Sequence, residues 1–148
     1  MGPDDQKFER IVALKHMPLF RYVPFETIAA VARSVQVRTY LAGEEVIADG
    51  TDRQDLLILE AGALSIGHRE TVQTLAAPAC FGEIALAGEP MSWPRITAIT
   101  DARVSFLRAA IFDELCREHP EIAIELCRLL ARRLREAGEA QPAAPASS

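Results

Sequence analysis

The sequence lacks features that whole classes of protein require. None of its apolar runs approaches the roughly 18 to 20 residues of a membrane-spanning helix, and its amino terminus has no apolar core of the signal-peptide type. These absences predict a cytoplasmic protein without membrane insertion. Positive charge is also scarce, because 16 Lys and Arg stand against 21 Asp and Glu, for a net charge of -5. Such a surface does not attract a phosphate backbone, so direct binding to nucleic acid is not expected.

Cysteine and histidine are few and scattered. Each of Cys80, Cys116 and Cys127 lies in apolar sequence, which is typical of buried reduced thiols and not of a disulfide framework. The histidines lie far from one another and from any paired cysteine, so no metal site is predicted. No segment concentrates a Ser, His and Asp set or a close carboxylate pair. We therefore expect neither an enzyme nor a required cofactor.

Two helices are predicted in the first quarter of the chain. The segment from Asp4 or Asp5 has acidic residues at its start, where the helix dipole favours them, and it ends before Pro18. A second helix follows Pro24 and runs to about Ser34. The apolar positions of the first helix are Phe8, Ile11, Val12 and Leu14. The length and the 49% of hydrophobic residues fit one domain around one core.

After Ser34 the period of the apolar residues changes to two, which is typical of strands. A tight turn at Gly43 is expected to join the first two strands. The predicted strands are VQVRTY, EVIADG, DLLILEAG, ALSIG, ETVQTLA, RITAIT and RVSFLR. The residues predicted to point inward from the last two are Ile96, Ala98, Val104 and Phe106. Several short strands between turns favour an antiparallel barrel or sandwich, and the fold class is α+β, mainly β, with helices at both ends.

The last third of the chain returns to a helical pattern. One helix is predicted to stop at Pro120, and the next runs to Gly138, a residue type that ends helices. Its apolar stripe is Ala123, Leu126, Cys127, Leu130 and Leu134. Its arginines, interpreted as a solvated helix end, are Arg128, Arg132, Arg133 and Arg135. Residues 1–138 are thus the predicted domain, and residues 139–148 are a predicted disordered tail.

The stretch CFGEIALAGEPMSWPRITAITD, residues 80–101, interrupts the strand pattern with glycines and prolines. Gly82 allows unusual backbone torsions and the close approach of a ligand. A helical turn after it exposes N–H groups that suit a phosphate, and the Glu83 carboxylate can accept hydrogen bonds from a sugar hydroxyl. The alternative interpretation is a barrel loop with a surface glutamate.

Further motifs flank this stretch. They are LKHMPLF, the strand and turn run YLAGEEVIADGTDRQDLLILEAGALSI, and HPEIAIELCRLLARRL. With FGEIAL they make the chain resemble the cyclic-nucleotide-binding domain family of bacterial catabolite regulators, kinase regulatory subunits and cation channels. The resemblance runs from Leu14 to Leu134, with Gly43, Gly50 and Gly62 at the family's turns. It implies a jelly-roll barrel (a double-stranded β-helix), a phosphate-binding cassette in which Gly82 approaches the ligand and Glu83 holds the ribose 2′-hydroxyl, and a last helix that covers the base.

One position departs from the family pattern. Family members that bind cyclic nucleotides usually carry an arginine nine residues after the cassette glutamate, where this chain has Ser92. Trp93 and Pro94 follow, and Pro94 removes a backbone N–H. Arg95 is either a compensating phosphate ligand or a solvated strand-end residue. The candidate ligand-binding residues are Phe81, Gly82, Glu83, Ile84, Ala85, Ser92, Trp93 and Arg95.

Two functions are therefore predicted as alternatives. The first is a regulatory sensor that binds cAMP, cGMP or a related small anion and signals through the last helix to an effector domain or protein. The second is a degenerate, ligand-free module for protein interaction or homodimerisation through that helix. Glu83 favours the first and the absent arginine favours the second. A transcription factor of the catabolite-regulator type would need a helix-turn-helix after the last helix, and fewer than a dozen residues follow that helix here. The chain is therefore not expected to bind DNA in that way, and it is expected to act with an effector or as a fragment.

Overall fold

The fold consists of short strands between two groups of helices. It is known from a computed structural model, which describes residues 2–68 and 70–140. The helices are α1 (Pro3–Lys15), α2 (Phe25–Arg33), α3 (Glu83–Ala87), α4 (Ala109–Glu118) and α5 (Pro120–Ala140). The strands are β1 (Gln36–Tyr40), β2 (Glu45–Ile47), β3 (Thr51–Arg53), β4 (Asp55–Ala61), β5 (Ala63–His68), β6 (Thr71–Ala76), β7 (Ala79–Phe81), β8 (Met91–Trp93), β9 (Arg95–Ala98) and β10 (Ala102–Arg108).

The strands form two four-stranded sheets. One has the order β1-β10-β4-β7 and the other β2-β9-β5-β6, and β3 and β8 make a separate two-stranded ribbon. The pairs within all three are antiparallel. The predicted fold class, a mainly β antiparallel structure with helices at both ends, is confirmed.

Strand β4 is buried on both faces and separates two apolar cores. Leu57 and Leu59 pack between the two sheets, together with the predicted inward residues of β9 and β10. Leu56 and Ile58 point the other way and pack under helices α1, α2, α4 and α5. Alternate residues of a strand face opposite sides, so a strand covered on both faces is apolar throughout. The run DLLILEA therefore places the helical layer directly against the barrel.

The tight turn near Gly43 exists, but the strands it joins are not partners. The Glu44 N–H donates to the Leu41 carbonyl at 3.0 Å. β1 then pairs with β10 in one sheet, and β2 pairs with β9 in the other. The predicted turn between two strands is therefore confirmed, whereas their pairing partners were not predicted, because a turn motif marks only where the chain bends. Strands β3, β7 and β8, of three residues each, were not predicted.

The apolar face of α5 differs from the predicted stripe. Ile122, Leu126 and Leu129 are buried against the core. Cys127 and Leu134 are exposed, which corrects both the stripe and the expectation of a buried thiol at Cys127. The helix also runs past Gly138 to Ala140, and residues 141–148 of the predicted tail lie outside the described residues. The wrong face was chosen because apolar residues lie around most of this helix.

Helix α1 is also only partly covered. Leu14 is fully buried as predicted, whereas Phe8 and Val12 are exposed. Within residues 2–68 and 70–140, no helix combines the length and the apolarity that a bilayer-spanning segment needs.

Candidate functional site

An open cavity of about 1210 Å³ lies among strands β5 to β8, the start of α3 and the far part of α5. Six of the predicted site residues line it, namely Phe81, Gly82, Glu83, Ile84, Ser92 and Trp93. The other lining residues are Asp49, Gly67, Glu70, Thr71, Gln73, Leu75, Cys80, Met91, Pro94 and Arg133. Residues far apart in the chain thus meet at one surface.

Gly82 makes the turn that brings α3 to the cavity. Its φ is 99°, in the left-handed region that side chains disfavour. A Cβ there would lie 2.5 Å from Trp93 Cζ2 and 2.7 Å from the Asp55 carbonyl oxygen. The chain can pass this close to its neighbours because the residue is glycine. Glu83 and Ile84 follow it directly into the cavity wall.

Trp93 belongs to the barrel core and forms one wall of the cavity. Its side chain is only 2% exposed, and its ring meets Phe81 edge to face with centroids 5.1 Å apart. The Arg53 guanidinium lies over the same indole at 5.7 Å. Such packing fixes the ring in place. Trp93 therefore presents a rigid face to the cavity.

Glu83 is largely buried, although the sequence left open a surface position. Its Oε1 forms an ion pair with Arg133 Nη1, and its Oε2 lies 3.9 Å from Cys80 Sγ. Burial, together with this neighbouring carboxylate, raises the pKa of the Cys80 thiol to about 12. The raised pKa favours the protonated form of the Cys80 thiol at neutral pH.

Among the lining residues that were not predicted, Arg133 stands out because it is positively charged and pairs with a predicted residue. It was assigned to a solvated helix end, yet it lines the cavity and pairs with Glu83. Ile122, Leu126, Leu129 and Arg133 follow one another at spacings of four, three and four, but apolar residues lie around most of this helix, so the sequence did not single out this face. Residues at these spacings share one helix face.

Two predicted residues are not brought to the cavity. Ala85 is fully buried in α3 and is absent from the cavity wall. Arg95 is exposed at the start of β9, where its Nε lies 3.5 Å from Glu45 Oε2. The next residue, Ile96, points into the barrel, so alternation along the strand directs Arg95 away from it. This placement corrects the compensating-ligand interpretation of Arg95 in favour of the solvated strand-end residue.

The charges in the cavity wall are mainly negative. Among the described residues that line it, Asp49, Glu70 and Glu83 are acidic and Arg133 is the one lysine or arginine. No group of three or more His, Cys, Asp or Glu residues in the described ranges is arranged to hold a metal ion.

A model of the cyclic nucleotide-binding domain matches residues 37–119, more than half of the 148 residues. The chain belongs to the cyclic nucleotide-binding domain family. The predicted resemblance is confirmed, and the matched segment contains both sheets except for the first residue of β1. It also contains all the cavity-lining residues except Arg133.

Relatives of this cyclic nucleotide-binding domain include proteins with different outputs. The chain is 30% identical over 123 residues to the CRP-like cAMP-activated global transcriptional regulator of Mycobacterium tuberculosis, covering 79% of this chain and 55% of the relative. It is 31% identical over 131 residues to Glutaminase 2 of Bradyrhizobium diazoefficiens, covering 83% of this chain and 20% of that enzyme. The chain thus spans about half of the regulator and a fifth of the glutaminase.

A solved structure has the same fold. The crystal structure of the N-terminal domain of a transcriptional regulator from Streptomyces coelicolor A3(2) superposes with a TM-score of 0.82 at 24% identity. The match covers 92% of this chain and 99% of that domain. Together with the family, this likeness confirms the jelly-roll fold class.

Proposed function

We propose that the chain is a non-enzymatic regulatory module that binds a cyclic nucleotide, cAMP or cGMP, or a related small anion in the cavity and transmits its binding state through α5. The observation that carries this proposal is Glu83, a largely buried carboxylate in the cavity wall that is already bonded to α5 through Arg133. The cAMP-activated regulator among the relatives supports the choice of ligand class.

The wall offers complementary groups for such a ligand. The Glu83 carboxylate can accept a hydrogen bond from a ribose hydroxyl, and the Ser92 hydroxyl can donate one to a phosphate oxygen. Ile84, 52% exposed, offers apolar contact for the base. Because Glu83 also holds Arg133, a ligand that engages Glu83 changes the forces on α5. Binding and helix position are then thermodynamically linked.

We expect calorimetric titration to show binding of cAMP or cGMP that is weakened about 10- to 100-fold in Glu83→Ala. Hydrogen bonds to a charged group are worth about 1.5 to 3 kcal/mol, which corresponds to this range. The matched control is Glu89→Ala, which removes an exposed carboxylate just beyond α3. Equal affinity of native protein and Glu83→Ala would contradict the role of Glu83, and no binding by the native chain would contradict the proposal itself.

A second function, homodimerisation, is favoured by the outer face of α5. Ile124, Cys127, Ala131 and Leu134 are all exposed there and follow one another at spacings of three, four and three. This is the a and d pattern of a two-stranded coiled coil, in which each helix covers the same stripe of its copy. We propose that a second copy of this chain occupies this face, which replaces the predicted stripe.

Mild oxidation is expected to yield a covalent dimer through Cys127. Equivalent d positions of a parallel pair face one another, so the two thiols meet, and Cys127→Ser should abolish the product.

Leu134→Glu should shift the mass in light scattering to that of a monomer, because it places a charge in the seam. The control is Val72→Glu, which makes the same kind of change on exposed β6. A native chain that stays monomeric at high concentration would argue against the dimer.

Several expectations remain predictions. They are the cytoplasmic location, the effector domain or protein, the absence of catalysis and the absence of direct contact with nucleic acid by this chain.

A further inference from the structure

We infer that Arg133 on α5 supplies the positive charge for the ligand phosphate that the cassette lacks at Ser92. This inference rests on the proposed function, since it concerns an anionic ligand in the same cavity. Ser92 does line the cavity, and its hydroxyl is neutral. A cation must therefore come from elsewhere in the wall.

The need for a cation follows from the charges already there. Asp49, Glu70 and Glu83 line the cavity and repel a phosphate. Among the described lining residues, Arg133 is the one that carries a positive side chain. Without its charge, an anion entering the cavity would meet only acidic and neutral side chains among the described lining residues.

The neighbouring arginines are engaged elsewhere. Arg95 pairs with Glu45 on the outside of the barrel. Arg53 donates from Nε to Asp55 Oδ2 at 2.9 Å, its guanidinium lies over the rings of Trp93 and Phe106, and it does not line the cavity. Arg133 differs from both, because it lines the cavity and its ion-pair partner, Glu83, lines it too. It reaches the wall from α5, which lies outside the cassette.

The contact with Glu83 places Arg133 beside the expected phosphate. In a 3′,5′-cyclic nucleotide the phosphate is bonded to the 3′ oxygen, on the carbon next to the one that bears the 2′-hydroxyl. A carboxylate that holds the 2′-hydroxyl therefore lies close to the phosphate, and so does a guanidinium bonded to that carboxylate. Guanidinium has five N–H donors, so the Nη1 contact with Glu83 leaves donors for a phosphate oxygen.

This arrangement gives Arg133 two roles at once. A cation in the cassette binds phosphate whether or not the last helix is in place. A cation on α5 binds phosphate only when α5 lies against the cassette, so each ligand bound holds the helix down. Affinity and ordering of α5 should then be lost together when Arg133 is changed.

The test is calorimetric titration with cAMP of the native chain, Arg133→Gln, Arg133→Lys and the double variant Ser92→Arg with Arg133→Gln. Amide hydrogen exchange of α5 is followed with and without cAMP. We expect Arg133→Gln to weaken binding about 10- to 100-fold and Arg133→Lys to weaken it less. The double variant should regain affinity without regaining the ligand-dependent protection of α5. Such separation of affinity from helix ordering is what a merely structural role would not produce.

Two control variants sharpen the outcome. Arg135→Gln removes an exposed charge from the same helix and should change the affinity less than about twofold. Arg69→Gln tests the arginine that precedes the lining residue Glu70 in the chain, since Arg69 itself lies outside the described residues. If Arg69→Gln loses binding and Arg133→Gln keeps the native affinity, the inference is overturned.

The remaining outcomes distinguish the two proposals. Native binding that is unchanged or tighter in Arg133→Gln would overturn the inference while leaving the cyclic-nucleotide function standing, because Arg133 would then only tether Glu83. A native chain that binds neither cAMP nor cGMP would overturn the proposed function and this inference with it.

Discussion

Replacement of Glu60 by Gln is expected to lower the free energy of unfolding by about 3 to 5 kcal/mol. The Glu60 side chain is 0% exposed and accepts from two guanidinium groups, Arg10 Nε at 2.7 Å and Arg103 Nε at 3.0 Å. Both arginine side chains are at most 10% exposed. Loss of the carboxylate charge would remove the negative group that two buried guanidinium groups share, which is costly in a poorly solvated site.

The same cluster attaches α1 to the barrel. Arg10 comes from α1, Glu60 from β4 and Arg103 from β10, and Arg103 also pairs with Glu9 of α1. We therefore expect the Glu60→Gln variant to lose amide-exchange protection in α1 before the rest of the domain unfolds.

Urea denaturation is the measurement for this prediction. The matched control is Glu45→Gln, since Glu45 is half exposed and pairs with an exposed arginine, Arg95. Exposed pairs contribute little, so the control should stay within about 0.5 kcal/mol of the native chain. Equal losses of unfolding free energy in the two variants would mean that burial does not determine how strongly the Glu60 cluster stabilises the fold.

Gly82→Ala is expected to destabilise the domain by about 2 to 4 kcal/mol and to disturb the cavity at the same time. The φ of 99° strains any side chain, and the new Cβ would stand 2.5 Å from the Trp93 ring and 2.7 Å from the Asp55 carbonyl oxygen. The carbonyl belongs to the backbone of β4 and the ring is packed in the core, so neither can move cheaply.

The readouts are urea denaturation and the fluorescence of Trp93, the one tryptophan of the chain. Gly138→Ala is the control, because a Cβ there meets nothing within 4 Å and the residue lies inside α5. That substitution should stabilise the protein by about 0.5 to 1 kcal/mol through helix propensity. A Gly82→Ala variant with native stability and unchanged fluorescence would show that a Cβ fits at this turn without a steric clash, which would contradict the structure.

Local pattern was enough to predict many elements of the fold. Period-two alternation identified β9 and β10, and Ile96, Ala98, Val104 and Phe106 are buried as expected. Helical spacing identified α1, α2, α4 and α5 nearly to their ends. These elements were predictable because their burial repeats with the geometry of a single helix or strand. Pairing depends on distant segments, so the placement of β1 and β2 in different sheets was not predicted.

The candidate site divides in the same way. Its cassette, from Phe81 to Ile84, was predictable because consecutive residues carry the turn, the carboxylate and the approach to the cavity. Arg133 lies fifty residues beyond Glu83 in the chain, and no local period joins the two. The side chain of Arg95 points away from the barrel because its neighbour Ile96 points into it, and the structure was needed to show this placement.

The sequence by itself therefore determined the family, the fold class and the segment from Phe81 to Ile84 that lines the cavity, because these reside in contiguous motifs and in local periodicity. Only the tertiary structure decided which charge faces the cavity and which side of α5 is exposed. The physical reason is that these properties depend on packing between segments distant in the chain. The approach of α5 to α3 brings Arg133 to Glu83 and leaves Cys127 and Leu134 on the outside.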